Sequence, residues 1–425
     1  MTCESGAGIL RQSSCCSESN FSKGNRPLIN RRNFLVGAAA ATVAANSVRT
    51  ATAATEKKLK VGIIGCGRMG QDFAEVYRRF PDTELMAIAE WNDERRPIVG
   101  ERFGVEALYK DVNAMLKDGV VPDIVAVITP TKYMKEAVIR CAEAGVKGIS
   151  TDKPVAARLS DADAMVDACR SNGVIFAGGN LQRAKSEVQQ AAGRLRSGEY
   201  GKIVGVAMHG FGGEISGGGC QLLSVLRLLT NAEVDEVVAW ADPAAALLRD
   251  DDTGLNINGR FRMSSGIDCQ VFGLNHPTDA DRNLYGVDVW TTNDTLVSWH
   301  WGVPKIFRGV DADGAWKEID PNYSPFPYPD VLVPPLMEHD DYLVSSIRSF
   351  VKSVKEQDED LLSISGHDLR QALEIAIASK QSALQGNRPV SLPLVDRSLS
   401  LLPSPYRWLG GDQTGNVQTI EDAAG

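Results

Sequence analysis

The chain has 425 residues, of which 43% are hydrophobic and 23% charged, and its formal net charge is -9. It is long enough to bury ordinary cores and too long for one typical domain, so two domains are expected. The charge is spread over mixed-sign segments with no Lys/Arg stripe that could track a phosphate backbone, which argues against nucleic acid as a partner.

The first segment reads as a targeting signal. Arg31-Arg32-Asn33-Phe34-Leu35-Val36 sets two arginines before an apolar, Ala-rich run from Phe34 to Ala45, and Ala51-Thr52-Ala53-Ala54 supplies a small-residue cleavage pattern. That order predicts a twin-arginine signal over residues 1–54 and export of a folded protein to the periplasm. The run is shorter than the roughly 20 residues needed to span a bilayer, so no stable membrane span is expected. Cys3, Cys15 and Cys16 would leave with the signal. The remaining Cys66, Cys141, Cys169, Cys220 and Cys269 are odd in number and lack close pairing, so most are expected to stay free thiols. No Cys-x-x-Cys or His-x-x-x-His set is present, and no metal site is expected.

From residue 57 to 180, short apolar runs alternate with helical periodicity. Runs at Val61-Ile64, Leu85-Ala89, Ile124-Ile128, Gly148-Thr151 and Val174-Ala177 read as strands buried on both faces. Met69/Phe73/Val76/Tyr77/Phe80 and Met134/Ala137/Val138/Cys141 follow helical spacing between them, and Ser160-Asp161-Ala162-Asp163 reads as a capping box opening a further helix. Repeated strand-helix-strand units predict an α/β fold with a doubly wound parallel sheet.

The pattern changes over residues 181–400. A helix around Lys185-Arg196, a strand at Val204-Met208 and the nearly all-apolar helix Cys220-Leu229 precede strand-like runs near Val237-Trp240, Ile257-Met263, Ile267-Leu274 and Val287-His300. Strands grouped without intervening helices predict a second, α+β domain with a mixed or antiparallel sheet and helices on one face. Two late helices carry the stripes Leu343/Ile347/Phe350/Val351/Val354 and Leu369/Leu373/Ala376/Ile377, and Gly386 to Pro389 ends the second. Residues 401–425 read as a tail.

The chemistry begins at Gly65-Cys66-Gly67-Arg68-Met69-Gly70, directly after a strand and directly before an amphipathic helix. Gly65 permits the tight turn, Gly67 lets backbone approach a pyrophosphate, and Gly70 lets the helix pack on the strand. Glu90, ending the next strand, completes a dinucleotide-binding pattern. Its carboxylate is expected to accept ribose hydroxyls and repel a 2′-phosphate, favouring NAD over NADP, with Arg95 and Arg96 partly offsetting that charge. Thr151-Asp152-Lys153-Pro154 follows the fourth strand, where carboxyl ends face the ligand crevice. A lysine in a partly dry cleft has its pKa lowered and suits proton exchange with an alcohol, although surface lysines are common.

Taken together, the chain resembles the glucose-fructose oxidoreductase / inositol dehydrogenase / rhizopine-catabolism (Gfo/Idh/MocA) family from about Lys58 to Leu394. The resemblance rests on the glycine turn, Ala87-Ile88-Ala89-Glu90, Val127-Ile128-Thr129-Pro130, Asp152-Lys153-Pro154, Gly179-Asn180-Leu181-Gln182-Arg183, and the closing Gly386-Asn387-Arg388-Pro389-Val390-Ser391-Leu392-Pro393. It implies a Rossmann domain plus an open-faced sheet domain, a nicotinamide cofactor and a sugar, polyol or related substrate; export of the folded protein implies in addition that the cofactor is loaded beforehand and tightly held, and a homo-oligomer is expected. Lys153 matches the family's active-site lysine. Thr129, Pro130 and Asp152 would join the glycine turn in holding the cofactor, and Asn180 and Arg183 would meet the substrate.

The departures bear on mechanism. The family usually has Glu at the position of Asp152 and often a histidine at that of Met134. Its apolar helix usually presents an Asp and a His, where this chain, aligned on Arg227, offers Gln221 and Ser224. Glutamine hydrogen-bonds a hydroxyl without exchanging its proton near neutral pH. His209, before Gly210-Phe211-Gly212-Gly213, is the candidate replacement acid/base, a structural histidine being the alternative. His300, between Trp299 and Trp301, reads as sheet packing, and the run Tyr323 to Pro329 as a rigid loop with a ring on which a sugar could stack. Three functions stay open: an NAD-dependent oxidoreductase, a glycosidase or lyase using transient oxidation, and a non-catalytic sugar binder. If the export reading holds, replacing Arg31 and Arg32 together by lysine leaves the precursor in the cytoplasm on fractionation; unchanged export would contradict it.

Overall fold

The computed structural model describes residues 57–179, 181–213, 215–249, 255–273, 285–324 and 341–401. The arginine pair, Asn180, Pro325–Pro329 and the tail from residue 402 lie outside the described residues.

The first sheet has six parallel strands: β1 (Leu59–Ile64), β2 (Thr83–Ala89), β3 (Ala107–Tyr109), β4 (Ile124–Val127), β5 (Gly148–Thr151) and β6 (Ile175–Gly178). Their order is β3-β2-β1-β4-β5-β6. The crossovers are α1 (Arg68–Arg79), α2 (Arg95–Phe103), α3 (Val112–Lys117), α4 (Thr131–Glu143) and α5 (Leu159–Ser171). The order reverses between β1 and β4, and in such sheets the crevice at that reversal, outside the carboxyl ends, is where ligands bind. The strands are apolar on both faces because helices cover both. β3 escaped the sequence reading: it is three half-buried residues at the sheet edge, too short to show a period.

The second sheet has nine strands in the order β14-β13-β12-β11-β7-β10-β9-β8-β15. They are β7 (Ile203–His209), β8 (Val234–Ala241), β9 (Ile257–Met263), β10 (Asp268–Phe272), β11 (Gly286–Thr291), β12 (Thr295–Trp299), β13 (Lys305–Val310), β14 (Trp316–Ile319) and β15 (Val390–Ser391). Only β7 and β10 pair in parallel, so the sheet is mixed, as expected. The run Val287-His300 is two strands rather than one: the chain turns back at residues 292–294, where Asp294 takes a positive φ of 48°. The helices of this half are α6 (Ser186–Arg196), α7 (Cys220–Thr230), α8 (Asp341–Glu356) and α9 (Gly366–Leu384).

Two late segments cross back over the boundary at residue 180. The stripe Leu343, Ile347, Phe350, Val351 and Val354 of α8 packs on the Rossmann sheet, in one apolar cluster with Val61, Ile63 and Phe73. Gly148 makes room for it: a Cβ there would stand 2.4 Å from Val354 Cγ2 and 2.9 Å from the Phe350 ring. The chain after α9 then returns to the segment behind β5, with Leu159 N and Ser160 N donating to the Leu399 and Arg397 carbonyls at 3.0 and 2.8 Å. Those bonds correct the expected capping box. Arg158 is the N-cap of α5 with no side-chain cap, because backbone carbonyls already take the first N–H groups, and Ser160 lies inside the helix. Asp163 is thereby released to accept Arg397 bidentately at 2.7 Å, and Arg370 at 2.9 Å. The capping box the structure does contain is Ser365 with Asp368, on α9. Gly148→Ala is expected to lower stability by about 1–3 kcal/mol through overpacking against α8; an unchanged urea midpoint would contradict this packing.

Candidate active site at the carboxyl ends of the Rossmann strands

The glycine turn occupies the reversal point. Gly65 takes φ +87°, where a side chain is strained, and its Cβ would stand 2.4 Å from the Ile128 carbonyl oxygen at the end of β4. A Cβ on Gly70 would stand 1.9 Å from the Gly65 carbonyl oxygen. α1 therefore starts in contact with two strand ends. Its N-cap, Gly67, has no side chain to bond the first N–H groups, and no acidic residue occupies the first turn. Uncapped amides with the positive end of the helix dipole suit a phosphate. Arg68 is exposed at the first helical position, while Cys66 is buried, and that burial pushes its thiol pKa well up.

The neighbouring strand ends add polar atoms that the protein itself leaves over. Thr129 Oγ1, after β4, and Thr151 Oγ1, ending β5, are buried without a hydrogen-bond partner among the described residues. Pro130 is the N-cap of α4 and likewise offers no side-chain cap. Asp152 is buried, and its Oδ1 accepts the Lys153 amide at 2.7 Å, which fixes the backbone from which the half-buried Lys153 side chain leaves. Met134 is buried in the apolar core and contributes no polar atom at the position where the Gfo/Idh/MocA pattern often has a histidine.

α7 reaches this region through Gln182, just past β6. It is mostly apolar and buried along its whole length, as a helix packed between layers must be, with Gln221, Ser224, Arg227 and Thr230 as its polar residues. Ile215–Gly219, a π-helical turn, leads into it. Gln221 Oε1 accepts the Gln182 amide at 2.7 Å, while Gln182 Oε1 and Ser224 Oγ are buried without a hydrogen-bond partner among the described residues. Gln221 thus ties the second domain to the crevice edge. Arg183 points elsewhere: its guanidinium meets the Ser363 and Ser224 carbonyls at 3.0 and 3.3 Å and Asp368 at 3.1 Å. Arg227 binds Glu233 bidentately and shares Asp368. The guanidinium proposed for substrate is spent on the fold.

His209 does not lie on the face of the sheet that α7 covers. Met208, its neighbour on β7, faces the core shared with α7, so alternation sends His209 to the opposite face of the sheet. There its Nε2 lies 3.1 Å from Asp288 Oδ2, His300 Nε2 lies 3.1 Å from Oδ1, and the two rings stack at 5.7 Å. Burial alone would raise the Asp288 carboxyl pKa, but the bonds from His209, His300 and Ser298 outweigh it and hold it well below the usual range. Tyr323 packs against Arg194, 5.4 Å from ring centroid to Cζ, consistent with a loop held on its own domain. The hydroxyls of Thr129 and Thr151 were the part hardest to anticipate; threonine ending a strand is common, and only its lack of a partner marks it.

Known proteins agree with this geometry. The model of an oxidoreductase family with an NAD-binding Rossmann fold, Gfo/Idh/MocA, matches residues 59–179. Within the region of likeness, the chain is 34% identical over 157 residues to a D-apiose dehydrogenase of Paraburkholderia graminis, covering 37% of this chain and 41% of that one. It is 32% identical over 144 residues to a myo-inositol 2-dehydrogenase of Thermotoga maritima, covering 34% and 42%. The chain thus matches about two fifths of the length of these relatives. A levoglucosan dehydrogenase solved with NADH superposes with a TM-score of 0.65 at 20% identity, over 80% of this chain and all of that one, which extends the likeness of fold through the second sheet. The matched segment contains the glycine turn, Thr129, Thr151 and Lys153.

Proposed function

We propose that the protein is an NAD(H)-dependent oxidoreductase acting on CH–OH groups of a sugar, polyol or related small molecule, with the cofactor tightly held. The observation that carries this reading is the convergence, at the strand-order reversal, of an uncapped helix N-terminus, two partnerless threonine hydroxyls and Lys153. The donor set fits a dinucleotide: the turn from Gly65 to Gly70 would hold the pyrophosphate, with Thr129, Pro130 and Asp152 lining the path toward Lys153.

NAD, when bound, supplies a hydride acceptor. The chain's own residues do the rest. Lys153 Nζ takes the hydroxyl proton as the C–H bond is oxidised and returns it in the reverse direction. Asp152 holds the lysine backbone through its amide, and Gln221, anchored on Gln182, orients a hydroxyl by hydrogen bonding. Neither Gln221 nor Ser224 can carry a proton near neutral pH. That deficit favours a second reading of the same site, in which oxidation is transient, a bond is cleaved, and no net redox change results.

The arginine pair at Arg31-Arg32 supports placing this activity outside the cytoplasm, on a protein that folds around its cofactor before export. Such a protein must regenerate the cofactor in place, and a homo-oligomer is the expected assembly.

Incubating the mature protein with a panel of sugars and glycosides, with product analysis and nicotinamide absorbance, tests the reading. Net redox change is expected; cleavage without it would select the second reading, and saturable binding without turnover would refute both. Lys153→Met should keep cofactor affinity and Tm near wild type while turnover falls by about 10²–10⁴; full activity would remove Lys153 from proton transfer.

A further inference from the structure

Glu90 stands where a ribose reader should stand, at the end of β2, yet its carboxylate is already occupied. Oε2 accepts the Cys66 amide at 2.7 Å, and Oε1 accepts the Asn92 amide at 2.9 Å and Arg95 Nη1 at 3.4 Å. Glu90 is 1% exposed and Arg95 fully buried. The Cys66 amide belongs to the glycine turn, so the carboxylate braces that turn from beneath.

The pairing also changes what a cofactor feels. An acidic residue at this position discriminates against NADP partly by repelling the 2′-phosphate. Here a buried guanidinium lies against the carboxylate, so the pair is neutral overall, and an approaching phosphate meets a dipole in place of an anion. Tight burial also leaves no carboxylate surface for ribose hydroxyls.

What faces outward after β2 is aromatic and of mixed charge: Trp91, Asp93 and Glu94 are exposed, and Arg96 is partly so. Arg96 lays Nη1 2.9 Å from the Glu90 carbonyl oxygen and Nη2 2.5 Å from Asp93 Oδ1. Arg96 keeps 21% of its side-chain surface and Asp93 85%, so their ion pair is of the solvated kind that contributes little. A phosphate monoester, with about two negative charges, would outcompete that carboxylate for the guanidinium. Trp91, 64% exposed, stands next to Glu90, and Arg68 is an exposed cation on the glycine turn.

We propose that Glu90 is a positioning residue for the glycine turn and that Arg96 receives a cofactor 2′-phosphate, so the protein binds NADP(H) with an affinity comparable to that for NAD(H). This rests on the nicotinamide-dependent reading above and replaces the preference for NAD that the Glu90 position alone implies. The specificity at the adenosine end is thus set by the residue six places after the acid rather than by the acid.

The test is a fluorescence titration of the mature chain, freed of carried nucleotide by charcoal, with NADH and with NADPH. The two Kd values are expected to lie within about tenfold of each other. Arg96→Gln should raise the NADPH Kd by about tenfold or more, the worth of one charge-assisted bond, and the NADH Kd by less than about threefold. Glu90→Gln should weaken both cofactors together, leaving their ratio within about threefold, because the turn loses its brace; a ribose reader would instead shift the ratio toward NADPH. Rejection of NADPH by about a hundredfold or more in the wild type, with NADH bound, would overturn the proposal and spare the oxidoreductase reading, as would an Arg96→Gln effect equal on both cofactors. Binding of neither nucleotide would overturn both.

Discussion

A methyl group on Gly70 would stand 1.9 Å from the Gly65 carbonyl oxygen, and one on Gly65 2.4 Å from the Ile128 carbonyl oxygen. The bare backbone at these two positions lets α1 begin against the ends of β1 and β4 at once. Everything placed around the crevice depends on that contact. It sets the height of the α1 amides, the position of the Cys66 amide that Glu90 holds, and the distance across to Thr129. With a side chain at either glycine the helix would have to back away, and the strand ends would no longer converge on one crevice.

The second half of the chain is fastened to this crevice from several sides. α8 covers one face of the Rossmann sheet, Gln221 on α7 takes the Gln182 amide, and the segment after β15 pairs with residues 157–160, a few positions beyond Lys153. Arg397 ties Asp163 of α5 to Glu374 of α9, so the segment holding Lys153 and the helices under the nine-stranded sheet share one ion-pair network. Within this partly exposed network Glu374 is the buried member, so removing a cation leaves its charge less compensated. The lysine is thus carried on a part of the fold that both halves restrain.

Much of this was legible in the sequence because the signals were local. The glycine turn sits between an apolar run and a helical stripe, and Lys153 follows the short strand run Gly148-Thr151, so both fell at carboxyl ends without any knowledge of tertiary contacts. The failures share a cause as well. Ser160 looked like a cap because its hydroxyl and Asp163 have the right spacing; the chain from residue 397 to 401, far away in sequence, took over the capping. Arg183 and His209 were each the right residue type near the right place. Their partners, Asp368, and Asp288 with His300, are set by how strands and loops meet, which a one-dimensional pattern does not carry. Helix α8 was found by its stripe, but which sheet that stripe covers depends on Gly148.

The consequence for chemistry is a site rich in positioning groups and poor in titratable ones. Among the described residues at the crevice, Lys153 is the candidate for moving protons, while threonine hydroxyls, two glutamines and backbone amides orient. A crystal structure of the mature chain with a nicotinamide dinucleotide tests this account most directly. The account predicts the pyrophosphate on the amides at the start of α1, the nicotinamide beside Thr129 and Thr151, and Lys153 Nζ within hydrogen-bond reach of the substrate hydroxyl. A dinucleotide bound away from the Gly65–Gly70 turn, or a nicotinamide remote from Lys153, would contradict it.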